Sequence, residues 1–371
     1  MAIKVNIIKN MVCLMAIALC MLAFASCGNS PKKTPADNDT TNICMTVSPT
    51  DRVIFYIAGS GTITIDWGDG TFETKALLTF NYDRFLDYVD TTYMLTHSYS
   101  RSSTRTIKII GNNITHLTTG KLMLWEHESI TNILTRLIVS GTTALKWLGC
   151  SNNQLTELDL SKNTVLKGLN CFNNQLTSLD MSANTALTIL ECGGNQLTKL
   201  DLRKNTELTY LGCFINPLKK LDVSNNVELT HLFCSNTQLT ELDLNANTAL
   251  TSLDCQNNKL RELDLRYNKE LKNLWCSWNQ LTELDLSANT VLTYLTCWDN
   301  QLTSLNLGNN NTVLNELRCS RNKLSSNALN TLFRMLNDEP GRKLISITDN
   351  PGTKDCDKSI AEEKGWHVDT S

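Results

Sequence analysis

A repeat of 21 residues fills about half of the sequence and constrains the fold more than any other feature. Its nine units start at Leu145, Leu166, Leu187, Leu208, Leu229, Leu250, Leu271, Leu292 and Leu314. A one-residue insertion within residues 309–311 precedes the last unit, and residues 134–139 (LTRLIV) fit the second half of a degenerate earlier one. Each unit follows the pattern L-x-x-L-x-C-x-x-N-x-L-x-x-L-D-L-x-x-N-x-x. A fixed period of this length predicts a solenoid.

The apolar side chains of each unit stand at positions 1, 4, 6, 11, 14 and 16. The segments L-x-C and L-D-L alternate with a period of two, which predicts two short extended segments per unit. Burial of six side chains does not offset the entropy lost in ordering 21 residues, so a single unit cannot fold alone. Stacked units would bury both faces of each coil and pair strands with their neighbours, and the two ends of the stack would need caps.

The pattern is similar to the bacterial leucine-rich-repeat class with a nested 21-residue unit, called IRREKO. The resemblance covers about half of the chain and rests on nine matches in one register. The resemblance implies a solenoid of stacked parallel strands. It also favours a protein over other kinds of ligand, because leucine-rich repeats as a family mostly bind proteins.

Fourteen cysteines suggest a disulfide framework until they are placed in the repeat. Nine of them occupy position 6 and form the cysteine column: Cys150, Cys171, Cys192, Cys213, Cys234, Cys255, Cys276, Cys297 and Cys319. Metal binding would need close spacings such as C-x-x-C, which this column lacks. In-register parallel strands hold these side chains side by side, which is unfavourable for disulfides. We therefore expect small buried hydrophobes. A bond between Cys356 and Cys319 or another thiol of the last coil is left open.

Two polar columns accompany the apolar ones. Position 9 carries asparagine in all units except one, where Thr237 replaces it, and we expect a turn residue whose buried amide satisfies backbone groups. Position 15 carries Asp159, Asp180, Asp201, Asp222, Asp243, Asp264, Asp285 and then Asn306. A calcium-lined ladder is one interpretation of that column. A solvated strand surface is the favoured one.

Residues 1–26 have the features of a secretion signal: Lys4 and Lys9, a short apolar run, and small residues before Cys27. Residues 24–27 (FASC) resemble the lipobox of bacterial lipoproteins, which implies acylation of Cys27 and a membrane anchor. The alternative is a plain secretory peptide. Residues 27–44 are polar and predict a flexible tether. We expect an exported protein, lipid-anchored in the bacterial cell envelope at the outer membrane or cell surface. Whether it faces the periplasm or the exterior is left open.

Residues 45–112 contain β-branched and aromatic runs without helical periodicity, which predicts a small β-sandwich. Residues 66–71 (DWGDGT), residues 97–99 (HSY) and the run at 106–110 resemble a PKD-type immunoglobulin-like domain, whose most plausible role is a spacer. Asp66 and Asp69 suit either a cation site or a structural turn, and the turn is favoured.

The predicted fold class is mainly β: a leucine-rich-repeat solenoid at residues 145–323, preceded by the PKD-like sandwich and closed by an α/β cap. The cap is residues 324–371, with helical spacing at 327–336, a strand at 344–347, a turn at 350–352 and a helical turn near 359–364. Residues 113–144 would cap the other end and bridge to the sandwich. We expect a monomer.

Charge and motifs exclude several functions. The net charge is −3, without the basic surplus that nucleic-acid binding requires. The five histidines are scattered, and neither H-E-x-x-H, G-x-S-x-G nor a phosphate-binding glycine loop is present. We therefore predict neither an enzyme nor a cofactor or metal site.

Function is expected on the outward positions 3, 5, 7 and 8 of the cysteine-containing strand, because the fold dictates the inward ones. The predicted binding surface, here called the aromatic face, consists of Trp147, Phe172, Tyr210, Phe214, His231, Phe233, Trp275, Trp278, Tyr294 and Trp298, with Ile215 beside them. Contiguous exposed rings mark interaction sites. The alternative is that the rings only pack on one another.

Three hypotheses for its function remain open at this point. The leading one is protein recognition or adhesion across the face. The second is a glycan stacked on Trp275, Trp278 and Trp298, with Asp254 and Asp299 as hydrogen-bonding neighbours. The third is a structural spacer that has no ligand of its own.

Overall fold

The computed structural model describes residues 42–79, 94–119, 134–308 and 312–370. The predicted signal, Cys27 and nearly all of the tether lie outside these residues. The first part of the described chain forms strands β1 (Ile43–Gly59), β2 (Thr62–Asp66), β3 (Phe72–Ala76), β4 (Met94–Gly111), β5 (Ile114–Thr118) and β6 (Leu134–Ile138).

The repeats contribute short strands of three residues each. In chain order these are β7 (Trp147–Gly149), β8 (Gly168–Asn170), β9 (Ile189–Glu191), β10 (Tyr210–Gly212), β11 (His231–Phe233), β12 (Ser252–Asp254), β13 (Asn273–Trp275), β14 (Glu283–Asp285), β15 (Tyr294–Thr296), β16 (Ser304–Asn306) and β17 (Glu316–Arg318). The C-terminal segment adds helix α1 (Ser326–Met335), strand β18 (Lys343–Ser346), helix α2 (Ser359–Glu362) and strand β19 (Trp366–Asp369).

A parallel sheet runs along the whole solenoid, with one strand from each coil. Leu211 of β10 lies opposite Leu232 of β11, which lies opposite Leu253 of β12. The one-residue insertion leaves the register intact, because Leu295 of β15 still pairs with Leu317 of β17. Stacked coils with parallel strands are the architecture that the period predicts.

The interior of the stack is uniform. All nine members of the cysteine column and the leucines at positions 1 and 4 are 0–2% exposed. The nine cysteines are free thiols, as are Cys44 and Cys356, so the bond left open between Cys356 and Cys319 is not formed. Burial raises the pKa of Cys150 and of Cys319 to about 12. The cysteines therefore act as small apolar side chains inside the coils.

Buried asparagines satisfy backbone groups at the bends of every coil. At position 9, Asn195 donates from Nδ2 to the carbonyl oxygens of Cys171 and Cys192, both at 3.0 Å, and its Oδ1 accepts from the backbone N–H of Leu176. At position 19, Asn226 donates from Nδ2 to the carbonyl oxygens of Leu202 (3.1 Å) and Asn205 (2.8 Å). Two asparagine ladders therefore link neighbouring coils, where the sequence analysis interpreted only the first.

The aspartate column caps tight turns. Asp180 Oδ1 accepts from the backbone N–H of Ser182 at 2.9 Å, and Asp201 Oδ1 accepts from that of Arg203 at 3.1 Å. These hydrogen bonds lower the pKa of Asp180, and with the Arg203 side chain they lower the pKa of Asp201 to about 2. The second extended segment of each unit is paired as a strand only in β14 and β16 among the described coils.

The N-terminal strands are antiparallel and continuous with the solenoid sheet. Strand β1 pairs with β4, β5 and β6, and β2 pairs with β3 and β4. Strand β5 also pairs in parallel with β7, the first complete repeat strand. Residues 114–118 therefore join the antiparallel strands to the solenoid through backbone hydrogen bonds.

The turn between β2 and β3 is held by side chains of the DWGDGT segment. Asp66 Oδ1 accepts from the backbone N–H of Gly68 at 2.9 Å, and Asp69 Oδ1 accepts from that of Thr71 at 3.0 Å. Asp69 Oδ2 also lies 2.9 Å from His97 Nε2, and the His97 ring stacks on buried Trp67. These contacts show the structural role that was favoured for both aspartates.

The C-terminal segment continues the parallel sheet. Strand β18 pairs with β17, and β19, which the sequence analysis did not predict, pairs with β18. Helix α1 occupies the segment with helical spacing and buries Leu329, Leu332 and Phe333. Helix α1 packs against β16, and its apolar side chains join the core of the stack.

Candidate recognition face

Each repeat strand of the parallel sheet turns one side chain inward and its neighbours outward. In β11, Leu232 is 0% exposed, whereas His231 and Phe233 on either side of it are half-buried on the outer surface. The same alternation holds in β9 and β13, whereas in β10 and β15 the first residue is half-buried and the third, Gly212 or Thr296, is buried. The period-two geometry of a strand thus places the members of the aromatic face on one outer surface.

Most members of the aromatic face are half-buried rather than fully exposed. Trp278 is exposed, at 36%, and eight of the others are intermediate. Trp147 is different: it is only 8% exposed, so the expectation of an accessible ring was wrong there. Its ring lies directly over Gly168 of the next coil, where an added Cβ would be 2.1 Å from the indole.

The rings touch one another across neighbouring coils. Ring centroids are 5.5 Å apart for Tyr210 and Phe233, 5.5 Å for Trp275 and Tyr294, and 4.4 Å for Trp278 and Trp298. Phe172 and Phe214, two coils apart, approach to 5.5 Å across Gly193. Ring packing, the alternative interpretation, therefore occurs, and it coexists with outer edges and faces that remain accessible.

Two carboxyl groups lie among these rings, and one of them was missed. Glu191 sits over Gly212, where an added Cβ would be 2.3 Å from Oε2, and it accepts a hydrogen bond from Tyr210 at 3.1 Å. Burial raises the pKa of Glu191 to about 7, although that hydrogen bond opposes the shift. Burial also raises the pKa of Asp254, which accepts from the backbone N–H of Gln256 at 3.0 Å. An acidic residue at position 5, next to a glycine-bearing coil, was the available signal for Glu191.

His231 is the titratable ring of the face. It stacks with Tyr210 at a centroid distance of 6.0 Å, and its Nδ1 lies 2.9 Å from Thr230 Oγ1. Burial lowers the pKa of His231, because desolvation disfavours the charged imidazolium. The ring thus acts near neutral pH as part of an uncharged surface.

Position 8 of every unit adopts left-handed backbone geometry. Asparagine or glycine, which tolerate it, occupy this position in most coils, for example Asn173 (φ 55°) and Gly194 (φ 64°). Ile215 (φ 53°) and Trp278 (φ 54°) are exceptions. Bulky residues in this region cost roughly 1–2 kcal/mol. Such strain is characteristic of functional positions; Trp278 belongs to the aromatic face and Ile215 lies beside it.

A cavity of about 490 Å³ opens where the aromatic face meets the C-terminal segment, and Trp278, Trp298 and Arg321 are among its lining residues. Trp275 does not line it, so the structure separates the three tryptophans that the glycan hypothesis grouped. Trp275 instead contacts Tyr294 in the middle of the face.

The described residues are 42–79, 94–119, 134–308 and 312–370. Within these ranges, no group of three His, Cys, Asp or Glu side chains is placed to hold a metal ion. In the same part of the chain, no helix has the length and apolar character needed to cross a bilayer.

No protein-family model and no curated protein matches this chain. Solved structures do match. The functional domain of InlJ from Listeria monocytogenes, which includes a cysteine ladder, is 34% identical with a TM-score of 0.60, and the match covers 73% of this chain and 57% of that one. A leucine-rich-repeat protein of Leptospira interrogans is 20% identical with a TM-score of 0.54, and the match covers 62% of each chain.

These neighbours identify the fold. The stacked parallel strands of this chain form a solenoid that matches leucine-rich-repeat structures, as the sequence pattern predicted. The chain spans 57% and 62% of the lengths of the two matched structures.

Proposed function

We propose that the chain recognises a protein partner through its aromatic face. The observation that carries this proposal is the band of half-buried rings along one outer surface of the parallel sheet, from Phe172 to Trp298. Aromatic side chains that are already packed lose little conformational freedom on binding, and their remaining exposed area is apolar. A broad surface of this kind suits a protein with a complementary apolar patch.

Two features favour binding over catalysis. The carboxyls of Glu191 and Asp254 accept hydrogen bonds from Tyr210 and from the backbone N–H of Gln256, which gives both groups a structural role in the sheet. The matched structures are leucine-rich-repeat proteins, a class whose use in interaction supports the same conclusion.

The proposal extends to the segments on either side of the repeats. We infer that residues 1–26 are a lipoprotein signal, that Cys27 is acylated and that residues 27–44 tether the body to the cell envelope. The antiparallel strands from β1 to β4 would be the PKD-like domain acting as a spacer, and residues 324–371 would cap the solenoid. The packing of α1 against β16 and the burial of its apolar side chains support the assignment of that cap.

A site-specific photo-cross-linking experiment tests the recognition role. The full chain, expressed in its own cells, would carry p-benzoylphenylalanine in place of Phe233 on the face or of Tyr267, which is 50% exposed outside the face. We expect a discrete cross-linked protein from position 233 and none from position 267, because only the first position would touch the partner.

The cross-linked protein counts as the partner only if binding depends on the face. With the photo-reactive group kept at 233, Trp275→Ala should reduce the yield about tenfold, since central aromatic residues dominate interface energies. Tyr267→Ala is the matched control and should leave the yield unchanged. Equal yields from positions 233 and 267, or a yield insensitive to Trp275→Ala, would rule out the proposed face.

A further inference from the structure

The cavity at the C-terminal end of the aromatic face has a wall of fixed indole rings. Trp278 lines it, and its Nε1 donates to Asp299 Oδ2 at 3.0 Å. Its ring also packs on Trp298, with the centroids 4.4 Å apart. Trp278 is the most exposed ring of the aromatic face, at 36%. Its orientation is therefore set before any ligand arrives, while part of its surface stays open.

The remaining wall is polar and contains paired charges. Arg318 is held by Glu316, with Nη2 and Oε1 2.6 Å apart. Arg321 lies between two carboxylates, 3.4 Å from Asp299 and 3.5 Å from Asp349. Each arginine of the lining is thus already paired with at least one carboxylate, so neither is left as an unpaired positive charge that would attract an anion.

Hydroxyl groups complete the polar wall. Ser320 Oγ and Ser346 Oγ lie 2.8 Å apart on neighbouring coils, and both residues line the cavity. A volume of about 490 Å³ falls within the range of small-molecule sites. The cavity therefore offers an apolar platform on one side, and on the other it offers both hydrogen-bond donors and hydrogen-bond acceptors.

We propose that this cavity binds a neutral saccharide, independently of the protein-binding role of the face. The C–H face of a pyranose ring would stack on Trp278 and Trp298, while its hydroxyls would exchange hydrogen bonds with Arg321, Asp349 and the serine pair. An acidic ligand would have to displace a carboxylate that is already paired with Arg318 or Arg321. The apolar side chains of a peptide would desolvate Arg321 and Asp349 without offering them hydrogen-bond partners, which is costly.

Ligand-observed NMR with the full chain tests this site. The probes are the methyl glycosides of glucose, galactose, mannose and N-acetylglucosamine, together with glucuronic acid and an apolar tetrapeptide. We expect saturable binding of at least one neutral glycoside, with a dissociation constant on the order of 1 mM. Trp278→Asn, which keeps a residue that tolerates the left-handed backbone, should weaken this binding about tenfold or more.

Asp349→Gly, a change at an exposed residue whose left-handed backbone (φ 56°) glycine tolerates, is the second variant and should also weaken binding. Trp275→Ala is the control outside the cavity and should leave glycoside binding unchanged, while it reduces the yield of the cross-link from position 233 about tenfold. The proposal is overturned if no neutral glycoside binds, if binding survives both cavity variants, or if glucuronic acid or the tetrapeptide binds more tightly. None of these outcomes bears on the cross-linking test of the aromatic face.

Discussion

The inward and outward sides of the repeat strands obey different rules. Inward positions carry leucine, cysteine or asparagine in coil after coil, and they are almost completely buried. Outward positions next to them vary from glycine to tryptophan, as in Gly212 and Trp275. The contrast shows that the stack depends on one side of each strand, which leaves the other side free to differ between coils. The outward side chains can therefore form a recognition surface without disturbing the packing of the repeat.

The largest effect should come from an inward leucine. Leu232→Ala removes a fully buried side chain from the middle of the stack, and we expect the free energy of unfolding in urea to fall by about 2–5 kcal/mol. His231→Ala changes the neighbouring outward residue and should cost less than about 1 kcal/mol. Similar losses of unfolding free energy from both variants would contradict the proposed difference between the inward and outward sides of the strand.

The second effect concerns the asparagine ladder at position 19. Asn226→Ala leaves the carbonyl oxygens of Leu202 and Asn205 without their side-chain donor inside the stack, so we expect a loss of roughly 2–4 kcal/mol in urea unfolding. Asn225→Ala, at the exposed neighbouring residue, is the matched control. A loss no greater than that of the control would show that water replaces these hydrogen bonds.

Glu191 is an outward residue whose carboxyl is nevertheless buried, and the pH dependence of the protein's stability should reveal this burial. Its pKa of about 7 in the folded chain lies above the usual value for glutamate, so the folded state holds the proton more tightly. Stability should therefore fall as pH rises from about 4.5 to about 7, and Glu191→Gln should remove that decline. At pH 8 we expect the variant to be more stable by about 1–3 kcal/mol.

Urea unfolding of Glu191→Gln and of the original chain at pH 5 and pH 8 measures this effect. Glu241→Gln, at an exposed glutamate, is the control and should shift stability little at either pH. A variant that is equally less stable at both pH values would mean that the buried carboxylate is favourable as a charged group.

The smallest effect is at the left-handed position 8. Asn173 has a φ of 55° and is exposed, so Asn173→Ala should cost about 1 kcal/mol while Asn173→Gly should cost close to nothing. At exposed Thr177, which lacks this geometry, alanine should be no worse than glycine. The same order at both positions would mean that the backbone at position 8 relaxes.

The period of the sequence predicts the inward side almost completely. Leucine, cysteine and the first asparagine recur every 21 residues, and each recurrence becomes a column because equivalent residues of stacked coils lie next to one another. The preference for asparagine and glycine at position 8, as at Asn173 and Gly194, could have predicted left-handed geometry by the same logic. It was treated only as an outward position.

The outward side is less predictable because each contact depends on a neighbour in another coil. Trp147 is covered because Gly168 follows it in the next coil, and Glu191 is buried because Gly212 leaves room above it. The pairing of Trp278 with Trp298, and the cavity beside them, depends on a C-terminal segment outside the repeat. The repeat pattern does not predict contacts of this kind, because each one depends on two particular residues that occur together only once in the chain.

The central claim is that the outward rings bind a partner while the inward columns hold the fold. The most direct measurement is the yield of the cross-link from position 233 in Tyr210→Ala chains, compared with the folded fraction of the same chains. We predict that the yield falls about tenfold while at least nine tenths of the chains stay folded, since hot-spot rings contribute about 1–2 kcal/mol or more to binding. A yield that stays constant, or that falls only as far as the folded fraction does, would contradict the claim.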